Sequence, residues 1–270
     1  MKRFLYLFLI TAIILSVFFR LSIPDVSVLK KGNPGKTSLM KYREAEWAAK
    51  GRKLRISQVW MPYARLSPYL VKAVIIAEDD KFWRHEGFDY EAIQKAMEKD
   101  IKAGKFKAGG STISQQLAKN LYLNPEKSLI RKLKEAVITW KLERSLSKKR
   151  IIELYLNVVE WGDGVFGAEA ASRYHFGKSC IELTPMEAAR LAVVLPNPKR
   201  FNAAGDQRYV NSRSNIIYNI MVKRGIVIPA FEELLNEPSP LPVPSPTTRE
   251  GGQREFPNEP AKMETQTADH

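Results

Sequence analysis

Glu78-Asp79-Asp80-Lys81-Phe82-Trp83-Arg84-His85-Glu86-Gly87 sets carboxylates, an imidazole, cations and two aromatic rings side by side, directly after an apolar run, Leu70-Val71-Lys72-Ala73-Val74-Ile75-Ile76-Ala77. The run reads as a buried helix, begun by Ser67 as N-cap and Pro68 at the first helical position. A carboxylate at the far end of such a helix sits where apolar core meets solvent. Partial burial there raises the pKa of Glu78 and makes it a usable base near neutral pH. Taken alone, the cluster also reads as a charged loop leaving a core helix, so the flanking chain decides.

The chain has 270 residues and a formal net charge of +14. That length accommodates one domain with a good core plus appendages. The charge calls for a polyanionic partner: nucleic acid, an anionic lipid surface or a phosphorylated substrate. Cys180 is the single cysteine, which excludes an intramolecular disulfide and a thiolate metal cluster. His85, His175 and His270 are widely spaced and form no zinc-type pair.

Upstream, Met1-Lys2-Arg3 precedes an apolar stretch from Phe4 to Phe19. Carried on to Ile23, with Arg20 snorkelling outward, it is long enough for one transmembrane helix. Without a small-x-small cleavage site it reads as an uncleaved anchor, and Lys2 and Arg3 hold its start in the cytoplasm. The remainder then faces outward, which makes nucleic acid an unsuitable partner. Residues 24–55 read as a polar connector, with a short helix over Tyr42 to Ala49. Gly32-Asn33-Pro34-Gly35-Lys36-Thr37 is a turn, since only two residues separate its glycines where a phosphate loop needs four. The apolar and aromatic stretch from Ile56 to Leu66 suits a lobe lying against a membrane surface.

Downstream, Asp89 caps a helix bearing Ile93, Met97 and Ile101, and a lysine- and glycine-rich loop around Phe106 fits contact with anionic lipid headgroups. Gly109-Gly110-Ser111-Thr112 opens the next helix, with Thr112 and Gln115 at capping-box spacing. A glycine-rich turn entering a helix offers free N–H groups and a favourable dipole to an anion. Ser128 to Leu146 reads as one long helix with an apolar face of Leu129, Leu133, Val137, Trp140 and Leu142. Arg131 and Glu135, four apart, share a face of it. Ser147 caps a further helix, Trp161 to Gly164 forms a turn, Thr184-Pro185-Met186-Glu187 starts another helix, and a last one runs from Gln207 to Arg224. Strand-like alternation is rare, so the fold is expected to be mainly α. Residues 236–270 are Pro-rich and polar and cannot bury enough apolar surface to fold.

These stretches together resemble the peptidoglycan glycosyltransferases of family 51, and among them the monofunctional members. The resemblance covers roughly Ile56 to Phe201 and rests on five ordered motifs. The first is Glu78-Asp79-x-x-Phe82-x-x-His85-x-Gly87. The second is Gly109-Gly110-Ser111-Thr112-Ile113-Ser114-Gln115-Gln116-Leu117-x-Lys119-Asn120, and the third is Arg131-Lys132-x-x-Glu135. Lys148-x-x-Ile151-Ile152-Glu153-x-Tyr155-Leu156-Asn157 is the fourth. Tyr174 to Lys178 together with Leu183-Thr184-x-x-Glu187-Ala188-Ala189 makes the fifth. Arg190 departs from the pattern, standing where an apolar residue is expected.

The resemblance implies a lysozyme-like bilobal glycosyltransferase domain over 56–235, with a smaller membrane-dipping lobe, anchored in the bacterial inner membrane and facing the periplasm. It implies polymerisation of lipid II, with inversion at the anomeric carbon and release of undecaprenyl pyrophosphate. Glu78 is the implied base, and Lys119 and Arg131 the pyrophosphate clamp, helped by Ser111 and Thr112. Glu135 is the second implied carboxylate, orienting Arg131 or holding a divalent ion in preference to supporting developing positive charge on the sugar ring. Asp79 and His85 are assigned to the acceptor side, and Gln115, Gln116 and Asn120 to the donor groove. Glu153, Tyr155 and Asn157 are read as structural support. No cofactor is required, although Mg²⁺ or Mn²⁺ would suit the diphosphate. Membrane lipids, the growing lipid-linked glycan and other proteins of cell-wall synthesis are the implied partners. Two rival readings remain: a lytic transglycosylase or muramidase sharing the fold, and a non-enzymatic membrane-tethered scaffold.

Overall fold

The computed structural model describes residues 4, 6, 9, 10, 22–103, 110–126 and 128–228. The anchor expected over 1–23 falls almost wholly outside them, as do the middle of the lysine-rich loop and the Pro-rich tail. Among the described residues no helix is long and apolar enough to cross a membrane.

Nine α-helices, three short 3-10 turns and three short strands are found among the described residues, in keeping with a mainly α reading. The helices are α1 (Ser38–Ala49), α2 (Pro68–Glu78), α3 (Tyr90–Ala103), α4 (Ile113–Tyr122), α5 (Leu129–Ser145), α6 (Lys148–Val158), α7 (Ala168–Phe176), α8 (Pro185–Val194) and α9 (Arg208–Lys223). The strands are β1 (Ser57–Gln58), β2 (Glu160–Gly162) and β3 (Val165–Phe166). Sequence caps set the helix starts. Ser67 with Pro68 opens α2, Ser128 opens α5, Ser147 opens α6, and Thr112 and Thr184 open α4 and α8 with complete capping boxes.

Helix α2 packs against α8 and α9, and α4 packs against α1, α5 and α6. The sheet order is β1-β3-β2, with β1 parallel to β3 and β2 antiparallel to it. The expected turn at Trp161 to Gly164 is therefore a hairpin whose tip is Asp163-Gly164. Trp161 of β2 and Phe166 of β3 are both fully buried.

Three sequence expectations are corrected. Residues 24–55, read as a polar connector, also bury apolar side chains, and their helix is longer than expected. Val26, Leu29, Met40 and Trp47 are buried there, and α1 starts at Ser38 under a Thr37 cap, four residues before the expected start. Arg43 of α1 clasps the buried Glu160 carboxylate, with Nη2 at 2.7 Å. The polar look of the segment misled because four of its few large apolar residues are buried, while Val28 and Leu54 stay exposed. Burying each one contributes about 1.5–3 kcal/mol.

Ile56 to Leu66 is likewise pinned inward. Asn157 of α6 accepts from Met61 N at 2.7 Å and donates to Met61 O at 2.8 Å, and Glu153 accepts from Tyr63 N at 3.1 Å. Trp60, Met61 and Tyr63 pack on the core. In this stretch Val59 is the large apolar side chain left exposed.

Helix α5 follows its apolar pattern only in part: Leu142 is buried and Val137 packs on the core as expected, but the rest of the stripe does not. Leu129, Leu133 and Trp140 are exposed, whereas Glu135, Ile138, Thr139 and Leu142 are buried. Periodicity finds the amphipathic stripe, but a buried carboxylate can claim the inner face only when cations from the same helix accompany it. Arg190, the departure in the fifth motif, has a clear use. Its guanidinium donates to Ala203 O at 2.5 Å, to Asn211 Oδ1 at 2.7 Å and to Gly205 O, fixing the turn before α9.

Candidate active site

Glu78 ends α2, half-buried, as the apolar run before it requires. Burial pushes its carboxyl pKa up from the ordinary glutamate value. A hydrogen bond from Gln116 and the charge of Lys119 partly counter this. Gln116 Nε2 donates to Glu78 Oε2 at 2.7 Å. Behind it, the fully buried Tyr155 donates its hydroxyl to Gln116 Oε1 at 3.0 Å. Burial holds the Tyr155 phenol well above its usual pKa, with the charges of Glu78 and Asp79 adding to the effect. It therefore stays a donor.

Gln116 and Lys119 lie three apart on α4 and are, with Tyr122 at its end, its part-exposed residues, so the face they share opens toward the site. Burial depresses the Lys119 pKa, and the charge of Glu135 works against the depression. Lys119 makes no ion pair or side-chain hydrogen bond with any described residue. It is a cation in the fields of both Glu78 and Glu135 without an ion-pair partner among the described residues. A cavity of about 230 Å³ beside it is lined by Gln116, Lys119 and Asn120 of α4, and by Arg43 and Glu160. Arg43 and Glu160 escaped the sequence reading because they lie 117 positions apart and carry no motif.

Glu135 is 3% exposed and takes Arg131 Nη1 at 2.8 Å on one oxygen and Lys132 Nζ on the other. The Arg131–Glu135 pair expected from the i,i+4 spacing is present, but as a buried cluster rather than a surface bridge. Arg131 Nε has no partner among the described residues. Both Glu135 oxygens are occupied by cations of its own helix. Among the described residues no three His, Cys, Asp or Glu side chains gather in a way that could hold a metal ion.

The start of α4 is not open to an anion as the Gly-Gly-Ser-Thr sequence suggests. Ile113 N donates to Asp79 Oδ2 at 2.9 Å, Thr112 N to Gln115 Oε1 at 3.0 Å, and Gln115 N to Thr112 Oγ1 at 3.2 Å. Thr112 Oγ1 in turn donates to Gly87 O at 2.7 Å. Asp79 supplies from within the chain the negative charge that a helix N-terminus favours. Thr112 and Gln115 are buried caps, and Ser111 is the exposed residue of the group.

Asp79 and His85 also turn inward rather than toward an acceptor. Gly87 N donates to His85 Nδ1 at 3.0 Å, which places the imidazole proton on Nε2, 2.9 Å from Asp79 Oδ1. The loop from Glu78 to Gly87 is thus a closed clasp. Glu143 of α5 secures it from below, accepting from Ser114 Oγ at 2.5 Å and Lys148 Nζ at 2.7 Å. Lys148 Nζ sits 4.6 Å from the ring centroid of Phe82. The site residues brought together are Glu78, Gln116, Lys119 and Asn120, with Arg131 and Glu135 beside them through the Lys119 field. Ser111, Thr112, Gln115, Asp79 and His85 frame them.

Residues 46–222 match the family model described as Transglycosylase. The chain is 54% identical over 185 residues to the biosynthetic peptidoglycan transglycosylase of Dechloromonas aromatica (strain RCB), spanning 68% of this chain and 80% of that one. It is 55% identical over 169 residues to the protein of the same name from Aromatoleum aromaticum (strain DSM 19018 / LMG 30748 / EbN1), spanning 63% and 74%. With the Nitrosospira multiformis (strain ATCC 25196 / NCIMB 11849 / C 71) protein of that name it shares 46% identity over 194 residues, 72% and 84%.

Proposed function

Since this chain belongs to the transglycosylase family, it is a peptidoglycan glycosyltransferase of cell-wall biosynthesis, and we propose that it polymerises lipid II into glycan strands. The observation that carries this reading is Lys119, a part-buried cation without an ion-pair partner among the described residues, in the fields of both Glu78 and Glu135. A donor bearing a diphosphate brings the anion that position lacks.

The reaction runs as one displacement. Glu78 takes the proton of the acceptor sugar's 4-hydroxyl as its oxygen attacks the donor's anomeric carbon. The bond from that carbon to the diphosphate breaks, and the electron pair leaves with undecaprenyl pyrophosphate. Attack opposite the leaving group inverts the anomeric carbon. Lys119 and Arg131 stabilise the charge on the departing diphosphate, and Glu135 orients Arg131. Asn120 and Gln116 line the donor side of the cavity. A divalent ion such as Mg²⁺ or Mn²⁺ would neutralise a diphosphate. Glu135, with Arg131 on one oxygen and Lys132 on the other, does not fit as its ligand.

A lytic enzyme on the same polymer would hold a protonated carboxyl against the glycosidic oxygen. The raised pKa of Glu78 suits either role, but an uncommitted lysine beside Arg131 suits only the synthetic one.

Residues 1–23 are the inner-membrane anchor in this reading, and the catalytic body faces the periplasm. Supporting this, Leu129, Ile130, Leu133 and Trp140 of α5 and Met97 and Ile101 of α3 are large exposed apolar side chains of a kind suited to a lipid surface. The detergent-solubilised full-length protein is expected to convert purified lipid II into lysozyme-sensitive polymer. Absence of polymer, or release of fragments from preformed glycan instead, overturns the reading.

A further inference from the structure

A second cavity, of about 280 Å³, lies between α2 and the end of α9 and shares no lining residue with the cavity beside Lys119. Its apolar wall is Ile75 and Ile76 of α2 with Ile226 beyond α9, and Trp83 joins it 42% exposed. Arg224 is committed to Asp80 through bonds of 2.5 and 2.9 Å. Lys72 and Arg84 also line the cavity, and neither makes an ion pair or side-chain hydrogen bond with any described residue. An indole with one edge against Phe82 and 42% of its surface exposed, an aliphatic wall, and two cations without an ion-pair or hydrogen-bond partner among the described residues suit a ligand that offers a sugar face and a carboxylate together.

We propose that this cavity holds a peptide-bearing sugar of the newly made strand, with a stem-peptide carboxylate on Arg84 and Lys72 and a sugar face on Trp83. The proposal rests on the polymerase reading above. Three observations favour this occupant. The lining carries three cations against one acid, complementary to stem peptides that end in carboxylates. Ile75 and Ile76 sit on the same last turn of α2 as Glu78, so a strand held there stays beside the site that extends it. The exposed apolar stripe suited to a bilayer lies on α5, which packs on α4 and α6, while α2 and α9 pack with α8. At this volume the cavity encloses the peptide end alone, and the sugar rests on the exposed face of Trp83 at its rim.

The test is calorimetric titration of the detergent-solubilised full-length protein with soluble N-acetylglucosaminyl-N-acetylmuramyl pentapeptide, free of lipid and diphosphate. Lipid II polymerisation is run alongside. Trp83→Ala and Arg84→Glu are each expected to weaken fragment binding about tenfold or more, a loss in the range of an anchoring aromatic or charge pair. Glu78→Gln is expected to bind as wild type does. Arg84→Glu is expected to keep the initial polymerisation rate while making shorter strands. The proposal is overturned if wild type does not bind the fragment, or if Arg84→Glu binds it unchanged. It is equally overturned if Glu78→Gln abolishes binding, which would place the fragment in the catalytic cleft, or if phosphatidylglycerol vesicles displace it, which would make the cavity a headgroup site. Polymer formed without fragment binding removes this proposal alone. A wild type that makes no polymer removes the polymerase reading itself.

Discussion

Gln116 donates its amide to Glu78 Oε2 at 2.7 Å, and the direction of that bond is fixed from behind by the Tyr155 hydroxyl on Gln116 Oε1. With a phenol that stays protonated on one side, the amide can only turn its N–H groups to the carboxylate. The bond favours the ionised form of Glu78 while burial opposes it.

Tyr155→Phe keeps the buried ring and removes only the hydroxyl. Without it the Gln116 amide is less firmly directed, its support of the carboxylate weakens, and the pKa of Glu78 rises further. The acid limb of kcat/KM for lipid II is expected to move to higher pH, with several-fold lower activity at neutral pH that recovers under alkaline conditions. A rate scaled down equally at every pH would reduce Tyr155 to a packing residue. The loss of stability should be about 1 kcal/mol.

Glu78→Gln should lower kcat by about 10²–10⁴-fold, the range for a general base, and should also stabilise the fold. A carboxyl whose pKa is raised on folding binds its proton more tightly in the native state, so ionising it costs stability as pH rises through the carboxylate range. Removing that cost should add about 0.5–2 kcal/mol at neutral pH. The gain should shrink toward zero in acid, below the ordinary glutamate pKa. Urea melts of both proteins across that range would expose the opposite trend if Glu78 were instead stabilised as a carboxylate.

Lys119→Met removes a cation whose pKa is depressed mainly by burial, so the fold carries a cost for keeping it charged. Stability is expected to hold or rise at neutral pH. Activity on lipid II should fall by about 10²–10³-fold in kcat/KM, as for loss of one oxyanion-stabilising donor. A variant that loses stability but retains turnover would place Lys119 in the scaffold instead.

Gly87 closes the clasp at φ 96°, and a Cβ there would lie 2.9 Å from Thr139 Cγ2 and 3.0 Å from Glu143 Cγ. Gly87→Ala therefore combines left-handed backbone strain with overpacking against α5. Its expected cost is about 2–4 kcal/mol, with loss of the His85–Asp79 arrangement it borders. Denaturant titration would settle this, and a change under 1 kcal/mol would mean the loop relaxes freely.

Much of the scaffold could be read directly. Helix α2 and its Ser67–Pro68 start, the capping boxes at Thr112 and Thr184, and the Arg131–Glu135 spacing are local patterns, decided by neighbours three or four residues away. Glu78 was legible for the same reason, because an acid ending an apolar helix must meet the core boundary.

What the sequence by itself determined was therefore the order of the helices, their caps and the charged groups standing on them, Glu78, Lys119, Arg131 and Glu135 among them. Tertiary structure alone decided which way those groups face. Asp79 and Thr112 look like substrate ligands in the sequence, yet they close the α4 start, because a helix N-terminus fills itself when a carboxylate from another element reaches it. Leu129 and Leu133 look like core, yet they face out while Glu135 goes in, because a buried charge follows its cationic partners rather than hydrophobic periodicity. Arg43 and Glu160, far apart in the chain, meet only after folding brings α1 against β2. Long-range pairing of that kind leaves no local pattern in the sequence to find.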